Sequence, residues 1–355
     1  MLLSVYPIDR LPDPDILRWN ELLVFASPVK SAFLSYAFAK AVQDVRGDVI
    51  VICIRGNRGE EGYLPVQMRR GRKFLGHAEK VAGGMSDFFG MVGSPAIRLD
   101  PEELLSTAGL SSLRFDHALR AQCPFAFEEA EEGRGARLFV ESFEKFKTDL
   151  LVSNKKFVQS VISRERRLAN ELGEIAFQWQ CQEPAAALEQ LIHAKREQYR
   201  RTGVADSFGT AWHRTLLERL LKTSTPECTA IISTLKAGGH WVGSKFSLVC
   251  ADTLHSWFSV YDPQHRKHGP GHLVWFNTIE EGSRRGIRTF DFGEGESNYK
   301  AEYGGESYEV FKGVIRNDTW RGGSERVLQS IAWRLENLSR RFARTPPRTA
   351  TGKDG

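Results

Sequence analysis

Residues 228–263, CTAIISTLKAGGHWVGSKFSLVCADTLHSWFSVYDP, hold three strand-length apolar runs in succession, divided by Gly238-Gly239 and by a short polar turn. Runs rich in β-branched and aromatic residues, bounded by glycines, fit antiparallel strands joined by hairpins. The plan occurs once more, earlier: GDVIVICIRGNRGEEGYLPVQMRRGRKFL, residues 47–75, reads as strand, glycine-rich turn, strand. A helical run and another strand follow each copy. They are Pro101–Leu110 and Leu113–Asp116 in the first, His272–Arg285 and Ile287–Phe292 in the second. Two copies at this distance describe two related domains, not a solenoid. With 355 residues, 41% hydrophobic and 26% charged, the chain has apolar material for both cores. The expected fold is α+β (mixed α/β): two tandem domains at 1–150 and 184–320, each a twisted mixed sheet flanked by helices. Residues 151–183 join them as a basic linker helix and a connecting strand, and 321–355 form a C-terminal helix and a flexible tail.

The linker helix lies in SNKKFVQSVISRERRLANELG, residues 153–173. Ser153 can cap it, Phe157, Val161, Leu168 and Leu172 recur at helical spacing, and Gly173 can stop it. Its other face carries Lys155, Lys156, Arg164, Arg166 and Arg167, which solvation explains most simply. Two more helices follow, one from Pro184 to Gly203 and one through TAWHRTLLERLLKTS. The last, from Ser324, turns Val327, Leu328, Ile331, Leu335 and Leu338 inward.

Composition narrows the function classes. The five cysteines are scattered and form no C-x-x-C pair, so neither a disulfide framework nor a zinc site is expected. The longest apolar run, Val49 to Ile54, is a strand's length, and Asp9 and Arg10 come too early for a signal peptide. The expected location is cytoplasmic; the arginines of the last helix also suit a peripheral position at the inner face of a membrane. A net charge of +5 suits phosphorylated ligands and falls short of a dedicated nucleic-acid binder, so DNA is not an expected partner.

Between the third strand of the second copy and the helix after it lies YDPQHRKHGPGHLVWF, in which Arg266, Gly269 and Gly271 spell R-x-x-G-x-G. Helix N-termini expose unpaired N–H groups, and glycine lets a phosphate approach that backbone. A basic tight turn is the plain alternative. The order of helix, helix, three strands, R-x-x-G-x-G, helix and strand resembles the GNAT acyltransferase superfamily. The Pro-Gly-His of the loop, the later Asp-Phe-Gly and Tyr-Lys, and RERRLANELG and WHR further back resemble the CelD-type branch of polysaccharide and cellulose biosynthesis. The tail DFG…YK…YGG is also similar to Fem-type peptidyl transferases, which are built from two GNAT-like domains. The first domain, with GGMSDFFG at 83–90, lacks the loop motif and is expected to be degenerate and not to bind CoA.

The resemblance implies an acyl-CoA, most simply acetyl-CoA, cradled by Arg266, Lys267, His268, Gly269, Gly271 and His272, with no metal. It also implies an oxyanion donor among the backbone N–H groups near Ser259–Tyr261. Asp291 and Glu294 are the candidate bases, and Tyr299 or Tyr303 the candidate acid. Lys300, Asp87, His213, Arg214 and Tyr303 are candidate acceptor-binding residues. Each also has a structural alternative: ion pairing for Asp291 and Arg214, ring packing for the tyrosines, a turn for Asp87. Three readings follow. The first is an acyl-CoA-dependent N-acyltransferase acting on an amino sugar or related precursor, free or linked to a nucleotide or lipid, in exopolysaccharide or cell-envelope synthesis, near its membrane machinery. The second is a Fem-type transferase using aminoacyl-tRNA, against which the two ordinary helices of 184–224 weigh, since Fem-type proteins often carry a long helical arm there. The third is a non-catalytic GNAT-like binding module.

Overall fold

The computed structural model describes residues 1–125, 131–295 and 298–318; the helix expected from Ser324 and the tail lie outside these. The strands are β1 (Leu2–Pro7), β2 (Val49–Arg55), β3 (Glu61–Met68), β4 (His77–Glu79), β5 (Val92–Gly93), β6 (Ser112–Ala118), β7 (Glu131–Phe139), β8 (Ile175–Gln178), β9 (Ser224–Thr225), β10 (Cys228–Ala237), β11 (His240–Cys250), β12 (Thr253–Tyr261), β13 (Thr289–Glu294) and β14 (Glu306–Arg316). The helices are α1 (Asp13–Glu21), α2 (Tyr36–Arg46), α3 (Pro101–Thr107), α4 (Phe143–Ser153), α5 (Lys155–Leu172), α6 (Pro184–Thr202), α7 (Ala211–Leu220), α8 (Pro270–Arg284) and α9 (Asn298–Glu302).

All the strands join one mixed sheet, ordered β1-β2-β3-β4-β6-β14-β7-β13-β12-β11-β10-β8, with β5 and β9 attached at its side. The order is a palindrome about the β14·β7 pair. On each flank the strand beside the centre runs parallel to the next one out: β6 with β4, β13 with β12. Every other neighbour is antiparallel. The two central strands are exchanged between the halves. β7 precedes the expected boundary at residue 150 yet pairs with β13, while β14, from the far end, pairs with β6.

Strand periodicity sorts the core onto two faces. In β2, Val49, Val51 and Cys53 face one side, with α1, α2, α6 and α7; Ile52 and Ile54 face the other, with α3. In β10, Ala230 and Ile232 join the first side, and Ile231 and Leu235 pack under α4, α5 and α8. The first core therefore draws on both halves, and α2 and α7 pack against each other. Gly238 and Gly239 make the β10–β11 turn at positive φ, and a side chain on Gly238 would collide with the Leu172 carbonyl. Cys53, Cys123, Cys228 and Cys250 are buried and Cys181 is half-buried; all five are free thiols.

Helix α4 was not anticipated from the sequence, and it displaces the expected cap. Ser153 closes α4 by bonding its hydroxyl to the Asp149 carbonyl, and Asn154 stands at the start of α5. In α4, Phe143, Phe146 and Leu150 are buried at the i, i+3, i+7 spacing of a helix face.

Because each half supplies a strand that the other half's sheet requires, heating should melt the chain in one cooperative transition. Calorimetric and van't Hoff enthalpies should agree; two resolved transitions would contradict the exchanged arrangement.

Candidate active site

β12 and β13 pair only over Thr253–His255 with Thr289–Asp291, after which β12 runs on to Tyr261 and the strands part. Where register with β11 shifts between Phe246 and Ser247, β12 carries an extra residue, which bends it further from β13. A helical turn, Pro263–His268, leads to Gly269 in the left-handed region (φ +59°), and α8 starts at Pro270. Here a pocket of about 380 Å³ opens, lined by Ser259–Tyr261 of β12, by Arg266, Gly269, Gly271 and His272, and by Arg164 of α5. Two arginines thus flank a helix N-terminus, an arrangement suited to a pyrophosphate. Lys267 and His268 turn the other way: both reach Glu171, at 2.8 and 3.1 Å, and fasten the loop to α5. Beneath Trp275, which also lines the pocket, Lys245 is fully buried with its Nζ 2.8 Å from the ring centre. Burial drives its pKa well below the ordinary lysine value.

On the opposite face of the sheet lies a buried polar cluster. His255 Nε2 is 2.8 Å from Asp87 Oδ2, and Nδ1 faces Asp291 Oδ1 at 3.3 Å, a charge contact without hydrogen-bond alignment. Asp291 Oδ1 accepts the Tyr308 hydroxyl at 2.9 Å and the Gly293 N–H at 2.7 Å. Gly293 takes positive φ (+72°), which bends β13 so that its carbonyl, with that of Glu294, accepts Lys300 Nζ at 2.8 and 2.9 Å. The Asp-Phe-Gly and the later lysine are thereby one hydrogen-bonded unit. Burial lowers the pKa of His255, but Asp291 and Asp87 outweigh it and raise the value to about 9. Burial opposes ionisation of Asp87, and His255 overcomes this and holds its pKa below the ordinary carboxylate value. A quarter of the Asp87 side chain (26%) stays exposed, so it is open to a ligand. A pocket of about 290 Å³ reaches His255 and Asp291 and is also lined by Lys30, Phe88, Arg137, Phe139, Thr253 and Thr289.

The sequence-derived candidates divide accordingly. Asp87, Asp291 and Lys300 converge on this cluster. Glu294 stands beside it, its carboxylate 2.7 Å from His117 Nε2, and His117 in turn meets Asp116, which pairs with Lys80. Tyr303 is buried on the α8 face, its hydroxyl 3.1 Å from His272 Nδ1, so it adjoins the loop and not the cluster. The side chain of Tyr299 lies outside the described residues. His213 and Arg214 line neither pocket: His213 bonds the Ser207 carbonyl, burial pushing its pKa down to about 4, and Arg214 pairs with Glu189 and Glu218. The sequence reading missed His255, Tyr308, Arg137 and His117, and took Arg164 for part of a solvated face. Strand pairing is what assembles the first three, and only Arg164, on the linker's basic stripe, carried a signal.

Residues 156–301 match the family model of the acetyltransferase (GNAT) domain. No curated protein sequence matches the chain. Among solved structures, FemX has a TM-score of 0.61 at 11% identity, covering 89% of this chain and 98% of its own. A conserved protein of unknown function from Bacteroides thetaiotaomicron gives 0.53 at 11%, covering 88% and 100%. A domain assigned to lysylphosphatidylglycerol synthetase from Agrobacterium fabrum gives 0.51 at 12%, covering 88% and 94%. At such identities these structures share the fold alone. The domain match identifies an acetyltransferase (GNAT) domain over residues 156–301, a class that generally uses acyl-CoA, and these structures agree with it in fold. No group of metal-ligating side chains occurs among the described residues, and no described helix is long and apolar enough to cross a membrane.

The raised pKa of His255 links stability to pH. The protonated ring's contacts with Asp87 and Asp291 act in full below the unfolded value of 6.5 and are lost as pH rises through about 9. Stability of the parent chain relative to His255→Asn should fall by on the order of 2–3 kcal/mol between pH 6 and pH 10. Urea midpoints across that range would measure it, and a constant difference would show that the ring is not charged in the folded chain.

Proposed function

We propose that the chain is an acyl-CoA-dependent N-acyltransferase. One observation carries the reading: β12 lines both pockets, with Ser259–Tyr261 in the one beside the R-x-x-G-x-G loop and Thr253 and His255 in the one beside Asp291. A donor whose pyrophosphate lies at Arg164, Arg266 and the α8 N-terminus would run along the parting strands, its thioester near free β12 N–H groups that stabilise the oxyanion. An amine entering from the opposite face meets Asp87 and Asp291, which attract it as the ammonium. Asp291, held in place by the charged His255 ring, takes its proton; the free amine attacks the thioester carbon, a C–N bond forms as the C–S bond breaks, and the second amine proton ends on the departing thiolate.

The donor we favour is acetyl-CoA, and the acceptor an amino sugar or related precursor of exopolysaccharide or cell envelope, as the CelD-type resemblance of the loop and of the Asp-Phe-Gly unit implies. Aminoacyl-tRNA is the competing donor, since FemX shares the fold; the pocket at a helix N-terminus flanked by two arginines favours the pyrophosphate of CoA.

Two variants separate the steps. Nothing lies within 4 Å of a Cβ placed on Gly271, so Gly271→Val should fold normally while lowering CoA affinity at least about a hundredfold, as calorimetry would report. Asp291→Asn should keep CoA affinity and lose roughly 10²–10⁴ in turnover with a reactive amine. Unchanged CoA binding in folded Gly271→Val, or binding of tRNA in place of CoA, would overturn the donor assignment.

A further inference from the structure

Arg137 of β7 stands directly across from Asp291 in the sheet register, yet the two make no ion pair. The proximal oxygen of Asp291 is taken by Tyr308, Gly293 and His255. The guanidinium lies instead over the rings of Tyr308 and Phe139, its central carbon 5.2 and 5.5 Å from their centres. Its Nε is buried and has no hydrogen-bond partner. Stacking satisfies the faces of a guanidinium but not its in-plane N–H groups, and these form a rigid fork matched to a carboxylate or a phosphate.

The other cations lining the same pocket already have counter-ions. Lys30 pairs with Asp252 at 3.0 Å, and His255 with Asp87 and Asp291. Arg137 is the one left without, among the described residues. The pocket thus presents two unlike groups on neighbouring strands, the Asp291 carboxylate beside His255 and an uncompensated guanidinium. We infer that the acceptor is an amine bearing an oxyanion close to its reacting nitrogen, and that Arg137 binds that oxyanion as the specificity-determining residue. This rests on the reading of this pocket as the acceptor side. A neutral amine would leave the Arg137 fork dry and unpaired, which sets a penalty against it. The volume, about 290 Å³, suits the reacting end of the acceptor and not a large body.

The matched probes are ethanolamine, β-alanine and O-phosphoethanolamine, which differ only in what terminates a two-carbon amine. Titrated into the full chain in a calorimeter, with and without CoA, the two anionic amines should bind at least tenfold more tightly than ethanolamine. The stronger of the two tells carboxylate from phosphate. Arg137→Gln should bring both down to the ethanolamine level, and Arg137→Lys, which keeps charge but loses the fork, should fall between. CoA affinity and melting temperature should stay at their parent values in both variants. Equal binding of ethanolamine, no binding of any probe, or anionic binding indifferent to Arg137→Gln overturns the inference. Anionic amines that bind through Arg137 in a chain that does not bind CoA would instead remove the donor reading and leave the oxyanion site standing.

Discussion

The central β7·β14 pair governs the rest of the molecule. Buried backbone N–H and C=O groups must be paired, so neither half can complete its sheet from its own residues. β14 satisfies one edge of β6 and β7 one edge of β13, and their mutual ladder, from Glu306 opposite Arg137 to Lys312 opposite Glu131, seals the middle. This exchange turns two local β-layouts into one continuous sheet with a core that both halves share.

The same exchange brings the residues of the buried polar cluster together. β7 carries Gly133 and Gly135 before Arg137, and a side chain at either would displace a residue of the cluster, most severely at Gly135. A Cβ on Gly135 would overlap the Tyr308 ring, and one on Gly133 would overlap the Glu294 carboxylate. Glycine weakens a strand, and its use twice here trades strand propensity for room beside Asp291. Tyr308 comes from β14, Asp291 from β13, His255 from β12 and Asp87 from the irregular segment before β6, so four separate stretches of chain meet around one imidazole.

What the sequence disclosed followed range. Local patterns were readable: the apolar runs Val49–Ile54 and Cys228–Ala237, the Gly238-Gly239 turn, the stop at Gly173, and the glycine loop ahead of α8. Asp87, Asp291 and Lys300 could be picked out because acidic and basic residues beside glycine-rich turns are conspicuous. His255 could not, since a lone histidine in an otherwise apolar strand has no spacing to betray it, and its role depends on the parallel register with Asp291. Arg137 and Tyr308 were hidden for the same reason, their strands meeting only through the exchange. His213, by contrast, sits in a conspicuous aromatic-basic triplet and is used to hold the segment before α7.

The palindromic strand order also has a meaning in time. During synthesis, residues 131–139 leave the ribosome long before residues 289–316 exist, so β7 must wait for both of its neighbours. Until then the growing chain exposes an unfinished sheet whose β6 edge lacks its cover, and such edges invite pairing with other chains. The glycines and the four charged residues of Glu-Glu-Gly-Arg-Gly-Ala-Arg, residues 131–137, make β7 a poor template for that wrong pairing. The strand that leaves space for the buried polar cluster is thus also the one best suited to remain unpaired while the rest of the protein is being made.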